Sequence, residues 1–484
     1  MQRSPGAYEL KSVGSCLMCD KANETLIKMR PAKIDRDKCL RFSFFIFVAI
    51  VLPMSKPLRH KKNRIIYSIV ALIVVGLVGI AILFEKRNAG STPKTTFSKS
   101  LPTSNSLPTS NNLSTLDVNG LMSSKKALSS GDKKTKHLVS QLTQYAITAL
   151  HDPIQTVTAK SQTPLSGDKH DYMSLADYWW PNPNKIDGLP YVHKDGQVNP
   201  AINDIPDKNN FTQMLKDTNM LALAYYFTND NKYAAGAAQK LRAWFLDPTT
   251  KMNPNLNFAQ IIPGQDNNGT GVIDFRELPQ LLDDFTLIIP SNQLSSEEQT
   301  TFRGWMTQYI DWLITSKPGL KQSQEKNNHG TWYDAQAIAI SGFLGDQSQA
   351  RSYAERVQRL IDTQIKANGT QPLELARTKS WDYSVLNLQA LIKTGIAAKP
   401  TGVDVLHYTN SSGGSITEAL KYLMPFTTNN KAWPYQQITR RKQGAIANPL
   451  LEAQYELHDN FGVSSSEVAQ LQPDTIIQLE FPAL

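Results

Sequence analysis

Cysteine is nearly absent from this chain: 484 residues contain three, Cys16, Cys19 and Cys39, all close to the N-terminus. No disulfide can brace the long region that follows them. Cys16 and Cys19 form a lone C-x-x-C without the second ligand pair that structural zinc needs or the setting of a redox pair. There is no H-E-x-x-H, no acidic calcium loop and no glycine-rich phosphate cradle, and His407 and His458 stand alone, so neither a metal nor a cofactor is expected. Strand-like alternation of apolar and polar residues is scarce as well. Nor does the chain carry a charge of one sign where it matters. The formal net charge of +9 sits in the first 87 residues and the remainder is close to neutral, so the basic balance says nothing about a nucleic-acid ligand, and no nucleic-acid-binding motif is present.

One long apolar run is present. Ile65 to Phe84 spans 20 residues without a charge, which at ~1.5 Å per helical residue matches a hydrocarbon layer of ~30 Å. This is expected to be a transmembrane signal anchor. Arg59, Lys61, Lys62 and Arg64 precede it, and by the positive-inside tendency residues 1–64 stay cytoplasmic while the large domain lies outside, in the periplasm if the cell is bacterial. Phe42 to Met54 is too short to span comfortably, and Met54 opens the basic stretch MSKPLRHKKNR, which makes it the expected natural start. Residues 85–131, rich in Ser, Thr, Pro and Asn, read as a flexible linker.

From 132 to 484 the apolar spacing is helical. Leu138, Leu142, Ala146 and Leu150 recur at steps of four, and similar patterns cover Met214 to Ala224, Ala235 to Phe245, Phe302 to Ile314, Trp332 to Phe343, Tyr353 to Ile365, Tyr383 to Ile392 and Ile416 to Leu423. Most of these end near Gly, Asn or Pro, and the connections are short, which predicts one all-α domain of successive antiparallel helix pairs. Two irregular stretches, about 161–210 and 247–275, are too long to be mere connectors. The first holds Tyr178, Trp179, Trp180 and Tyr191.

Four motifs in this region carry a resemblance. GDKHDYMSLADYWWPNP at 167–183, GLPYVHKDGQVNP at 188–200, NNHGTWYDAQ at 327–336 and LARTKSWDYSVLNLQAL at 375–391 resemble, in this order, the alginate lyase family, polysaccharide lyase family 5 and its relatives. The resemblance spans about 135–460. It implies an (α/α) toroid, an incomplete barrel of helical hairpins with a cleft across one end, and cleavage of an acidic uronate polymer by β-elimination.

That reaction removes a proton from C5 of a uronate while the glycosidic oxygen leaves C4. It needs a neutralised carboxylate, a base and an acid. The positions matching the family's catalytic set are Asn328, His329, Arg377 and Tyr383. An amide and a guanidinium suit the carboxylate, which assigns Asn328 and Arg377 to it. Tyr383 is the expected acid and, where the C5 proton and C4 oxygen share a face, also the base, with Arg377 expected to lower its pKa. His329 shares the base role or polarises the carboxylate. Trp179, Trp180 and Tyr191 are candidates to stack on sugars, Lys169 and His170 to meet substrate carboxylates, and Asn199 to bind substrate, with Tyr191 to Asn199 expected to form a lid.

Each assignment competes with a plainer one: asparagine caps helices, arginine forms structural ion pairs, and tryptophan packs in cores. Trp332 and Tyr333 are expected to pack. The six-residue step from Arg377 to Tyr383 is one shorter than in secreted bacterial alginate lyases and closer to the related family that includes glucuronan lyases. Poly-mannuronate is the preferred substrate of this reading. A glucuronan lyase of the same mechanism, or a non-catalytic module that binds or assembles acidic glycans, is the alternative.

Overall fold

The computed structural model describes residues 113–266, 269–427 and 431–483. All of these fall in the unit Phe97–Leu484; the unit Met1–Thr96 lies outside the described residues, and with it the expected anchor at 65–84 and the start at Met54. Among the described residues no helix is long and apolar enough to cross a membrane.

The chain opens with α1 (Val118–Ser130) and α2 (Lys133–His151). Asp117 caps the first by accepting from the Gly120 amide at 2.9 Å, and Gly131 ends it in the left-handed region. The linker expected over 85–131 therefore gives way to folded chain at its C-terminal end. The reason is tertiary burial: Leu116, Val118 and Leu121 are buried although their neighbours are polar. Gly120 is required there, since a Cβ would stand 2.0 Å from the Glu480 carbonyl oxygen. Just upstream, the fully buried carboxylate of Asp283 accepts from the Ser114, Thr115 and Leu116 amides and the Thr115 hydroxyl.

Between α2 and the next helix lie three short strands, β1 (Met173–Leu175), β2 (Trp179–Trp180) and β3 (Val192–His193). Then come α3 (Asp207–Thr228), α4 (Asn231–Leu241) and β4 (Phe258–Ile261). The two stretches expected to be irregular are thus tied together, because β1 and β4 pair in parallel, while β2 and β3 form an antiparallel hairpin. Helices continue with α5 (Leu278–Ile288), α6 (Ser296–Thr315), α7 (Lys317–Ser323), α8 (Asn328–Leu344) and α9 (Gln347–Gln364). The last group is α10 (Pro372–Leu375), α11 (Ser380–Ala398), α12 (Ile416–Leu423), α13 (Ala447–Leu457), α14 (Ser465–Gln470) and α15 (Thr475–Glu480).

The fold is mostly helical, interrupted by the four short strands, and the segments read from apolar spacing fall on helices, Ala235 to Phe245 running from α4 into a π-helical turn over Arg242–Leu246. Contacts run from α2 to α3, α5, α8, α11, α13 and α15, and α15 returns to α1 and α2, so the helices close on themselves. One apolar core, with Phe211 stacked on Phe275 at 3.9 Å, lies under the first half, and a second around Trp381, Leu388 and Leu420 lies under the other. Between them α8 and α11 pack on each other, and these two helices carry the NNH and R-x5-Y motifs.

Candidate active site

The first turn of α8 starts the site. Asn327 caps it by accepting from the His329 amide at 2.9 Å. Asn328 follows, fully buried, and its side chain points at Glu374: Nδ2 donates to both carboxylate oxygens at 3.0 and 2.9 Å, and the Asn328 amide adds a bond at 2.8 Å. The Asn328 amide group is therefore committed to a protein carboxylate, which differs from its expected assignment to substrate. Burial raises the Glu374 carboxyl above its ordinary range despite these bonds.

His329 is partly exposed, and among the described residues no hydrogen-bond partner faces its ring. Burial, then the positive charge of Arg377, pushes its pKa down to about 4. The imidazole is neutral at physiological pH and can accept a proton.

The entry of α11 supplies the other half. Arg377 sits over the Tyr383 ring, its guanidinium carbon 3.8 Å from the centroid. Its Nε and Nη2 grip Asp195 at 3.1 and 2.5 Å, and Thr378 adds its amide and hydroxyl to the same carboxylate at 2.9 and 3.0 Å. Burial opposes ionisation of Asp195, but the bonds from Arg377 and Thr378 outweigh it and hold the pKa at about 2. Segment 433–438 braces this entry: Trp433 Nε1 donates to Ser380 Oγ at 2.8 Å and the Ile438 amide to the Thr378 carbonyl at 2.9 Å. These two bonds fix the turn from which Tyr383 projects.

Tyr383 itself is nearly buried and donates from Oη to Tyr178 Oη at 2.8 Å. Arg377 was expected to lower its pKa. The guanidinium does pull in that direction, but burial and the neighbouring Tyr178 dominate, so the phenol is raised well above its ordinary value. Burial raises Tyr178 as well.

The hairpin closes over these groups. Tyr178 precedes β2, and on the opposite strand His193 lies 5.2 Å from the Trp179 ring, while Lys194 stands 5.0 Å over Trp180. Asp195 and Gly196 follow. Gly196 has φ of 73°, and a Cβ there would meet Thr378 Oγ1 at 2.4 Å, so this loop touches the α11 entry through backbone. The segment Tyr191 to Asn199 thus meets Arg377 and Thr378 through Asp195 and Gly196.

The expected binding residues divide. Trp179 and Trp180 are half-buried in the hairpin, with Trp180 Nε1 bonded to the Gln197 carbonyl at 2.9 Å. Tyr191 is half-buried, its amide on the Pro263 carbonyl. Asn199 is not a free binding group: it is buried, donates to the Trp179 carbonyl at 2.8 Å and accepts from the Ala201 amide at 3.1 Å, so it fastens the base of the hairpin. Lys169 commits its ammonium to the Lys160 carbonyl at 3.0 Å, and His170 donates from Nδ1 to the Lys251 carbonyl at 2.5 Å. Both tie loops together. Trp332 and Tyr333 pack, as expected, each 1% exposed.

Sequence reasoning missed Tyr178 as a partner of Tyr383, and missed Asp195 and Glu374. Asp195 lies inside the quoted lid motif, which was the available signal. Among the described residues no group of three or more His, Cys, Asp or Glu side chains is arranged to hold a metal ion. The assembled groups are a buried and a half-buried tyrosine sharing a hydrogen bond, a neutral imidazole and a guanidinium beside them, a set suited to moving a proton next to an anionic substrate.

The family profile described as Alginate lyase matches residues 156–433. Among solved structures, an alginate lyase from Bacteroides ovatus is 35% identical, covering 76% of this chain and 99% of its own, with a TM-score of 0.72. Alginate lyase A1-III from Sphingomonas species A1 is 16% identical over 74% of this chain and 95% of its own, with a TM-score of 0.48. A variant of A1-III complexed with tetrasaccharide reaches 0.50 at 16% identity, covering 77% of this chain and 95% of its own, a likeness of fold alone. No curated protein sequence matches.

Proposed function

The chain belongs to the alginate lyase family, and from that premise we propose that it cleaves the 1,4-glycosidic bonds of alginate by β-elimination, with poly-mannuronate preferred. It is a polysaccharide lyase, and the products of this reading carry 4,5-unsaturated uronate ends. The observation that carries the proposal is the stacking of Arg377 on Tyr383 at 3.8 Å with the Tyr383 hydroxyl held on Tyr178.

The chemistry follows from those groups. Tyr383 as phenolate takes the C5 proton, the C5–H electron pair becomes the C4=C5 double bond, and the C4–O bond breaks with its electrons on the leaving oxygen. The same phenol then returns the proton to that oxygen. One group can serve both steps when proton and oxygen share a face, as they do in mannuronate and equally in glucuronate, which favours these sugars over guluronate. Burial makes the phenolate costly, and two contacts offset this: the guanidinium over the ring, and the Tyr178 hydroxyl, which can rotate to donate once Tyr383 has lost its proton. His329, neutral above about pH 4, shares proton acceptance or orients the carboxylate.

The closed circuit of helix contacts supports the (α/α) toroid. The uncharged stretch Ile65 to Phe84 supports a single-pass anchor that holds the catalytic domain outside the cytoplasm. Mass spectrometry of the products tests the reaction class. Oligomers lighter by one water than hydrolysis products are expected, and fully hydrated oligomers would sink the elimination.

A further inference from the structure

Elimination next to a carboxylate needs a donor that takes up the charge flowing onto the carboxylate oxygens as the C5 proton leaves. Two side chains suited to that work are already engaged. Asn328 Nδ2 is held by both oxygens of Glu374, and Arg377 turns Nε and Nη2 to Asp195.

Lys379 is not so engaged. It is half-buried, and among the described residues it has no carboxylate partner. It stands four residues before Tyr383, and its carbonyl accepts the Tyr383 amide at 3.0 Å, which puts both residues at the entry of α11. Its stem is confined, because a Cβ on Gly196 of the lid would lie 3.3 Å from Lys379 Cγ. Its ammonium is 5.5 Å from the centroid of the Tyr178 ring, and Tyr178 is the residue hydrogen-bonded to Tyr383. The lysine thus places a positive charge beside the tyrosine pair, under the lid.

We propose that Lys379 is a catalytic residue that holds the carboxylate of the uronate losing its C5 proton. The inference rests on the lyase reading above. The ammonium donates hydrogen bonds to the carboxylate, and these strengthen as negative charge moves from C5 onto the oxygens. The same charge favours the phenolate form of Tyr383. Arg377, fixed by Asp195, then serves chiefly to hold the Tyr383 ring.

The test compares the full chain with Lys379→Met and Lys379→Arg on polymannuronate and on its methyl ester, following the unsaturated product by ultraviolet absorbance. An ester is neutral and its C5 proton is more acidic, so it needs no cation. Lys379→Met is expected to lower kcat on the acid polymer by about 10²-fold, the effect of removing one transition-state donor, with a smaller change in KM. Lys379→Arg should keep part of the rate, and on the ester Lys379→Met should fall within about tenfold of the parent. Thermal unfolding of the variants checks that they fold. An unchanged kcat on the acid polymer, or an equal loss on acid and ester, would overturn the assignment of Lys379 while leaving the lyase intact. Absence of unsaturated product from the parent itself would overturn the lyase reading, and the Lys379 assignment with it.

Discussion

Tyr383 and Tyr178 stand 205 residues apart in sequence and share a hydrogen bond of 2.8 Å between their hydroxyls. Each phenol is raised by burial, so neither ionises readily on its own. The pair becomes useful when one member loses a proton and the other donates to the resulting oxygen.

Substituting the two tyrosines should therefore give unequal losses. Tyr383→Phe removes the group that handles the proton and is expected to abolish turnover, by at least about 10³-fold in kcat. Tyr178→Phe removes one hydrogen bond to the phenolate, and a loss of about 10- to 100-fold in kcat is expected. Steady-state kinetics on one polymer separates them. Equal losses would mean that Tyr178 acts on the proton directly.

Asp195→Asn should weaken both the lid and the Arg377 stack. The carboxylate accepts from two Arg377 nitrogens and from Thr378, and charge-assisted bonds of this kind contribute about 1.5–3 kcal/mol when half-buried, here toward the lower end. A reduced thermal midpoint and a kcat lowered by about tenfold are expected. The sign of the pH effect follows from the pKa of about 2, below the ordinary carboxyl value. The stabilisation is full above the unfolded pKa of ~4 and is lost as pH falls toward 2. Thermal midpoints of parent and variant should converge over that window.

His329 is expected to leave no mark on the activity profile near its ordinary pKa. With the imidazole pushed down to about 4 by burial and Arg377, it remains neutral from pH 8 down to about 5. The same shift makes the unfolded chain the better proton binder between about 4 and 6.5, so this group lowers stability as pH falls through that range. A plot of kcat/KM against pH should be flat around 6.5. A limb at that pH that vanishes in His329→Ala would show a protonated histidine in the working enzyme.

Removing residues 113–131 should unfold the domain or cripple it. The loss strips the fully buried Asp283 carboxylate of the amides of Ser114, Thr115 and Leu116 and of the Thr115 hydroxyl. Leaving a buried charge without partners costs about 3–5 kcal/mol. Denaturant unfolding of chains beginning at 97 and at 132 measures the difference, and equal midpoints would contradict it.

How much of this was legible in the sequence depended on how local the signal was. Asn328 and His329 sit in one helical turn, and Arg377 and Tyr383 flank another, so short motifs exposed them. The partners that set their chemistry come from far away: Asp195 reaches Arg377 across 182 residues and Glu374 reaches Asn328 across 46. No spacing rule connects such positions. The same limit explains why Arg377 was expected to lower the Tyr383 pKa, since residue type alone shows neither the carboxylate that occupies the guanidinium nor the burial of the phenol. Asn199, Lys169 and His170 look like sugar-binding groups by type, but the loops that consume their polar atoms are visible only in three dimensions. The helix Val118–Ser130 was hidden by its own composition, because few of its residues are apolar and its burial comes from contact with the distant α15.

If Tyr383 carries the elimination at a uronate, ultraviolet absorbance of the unsaturated product follows its hydroxyl. The full chain and Tyr383→Phe are incubated separately with polymannuronate, polyguluronate and glucuronan. Absorbance rising fastest on polymannuronate with the parent and staying flat with Tyr383→Phe is the result expected. A flat trace for the folded parent on all three polymers, or an equal rise with Tyr383→Phe, would contradict it.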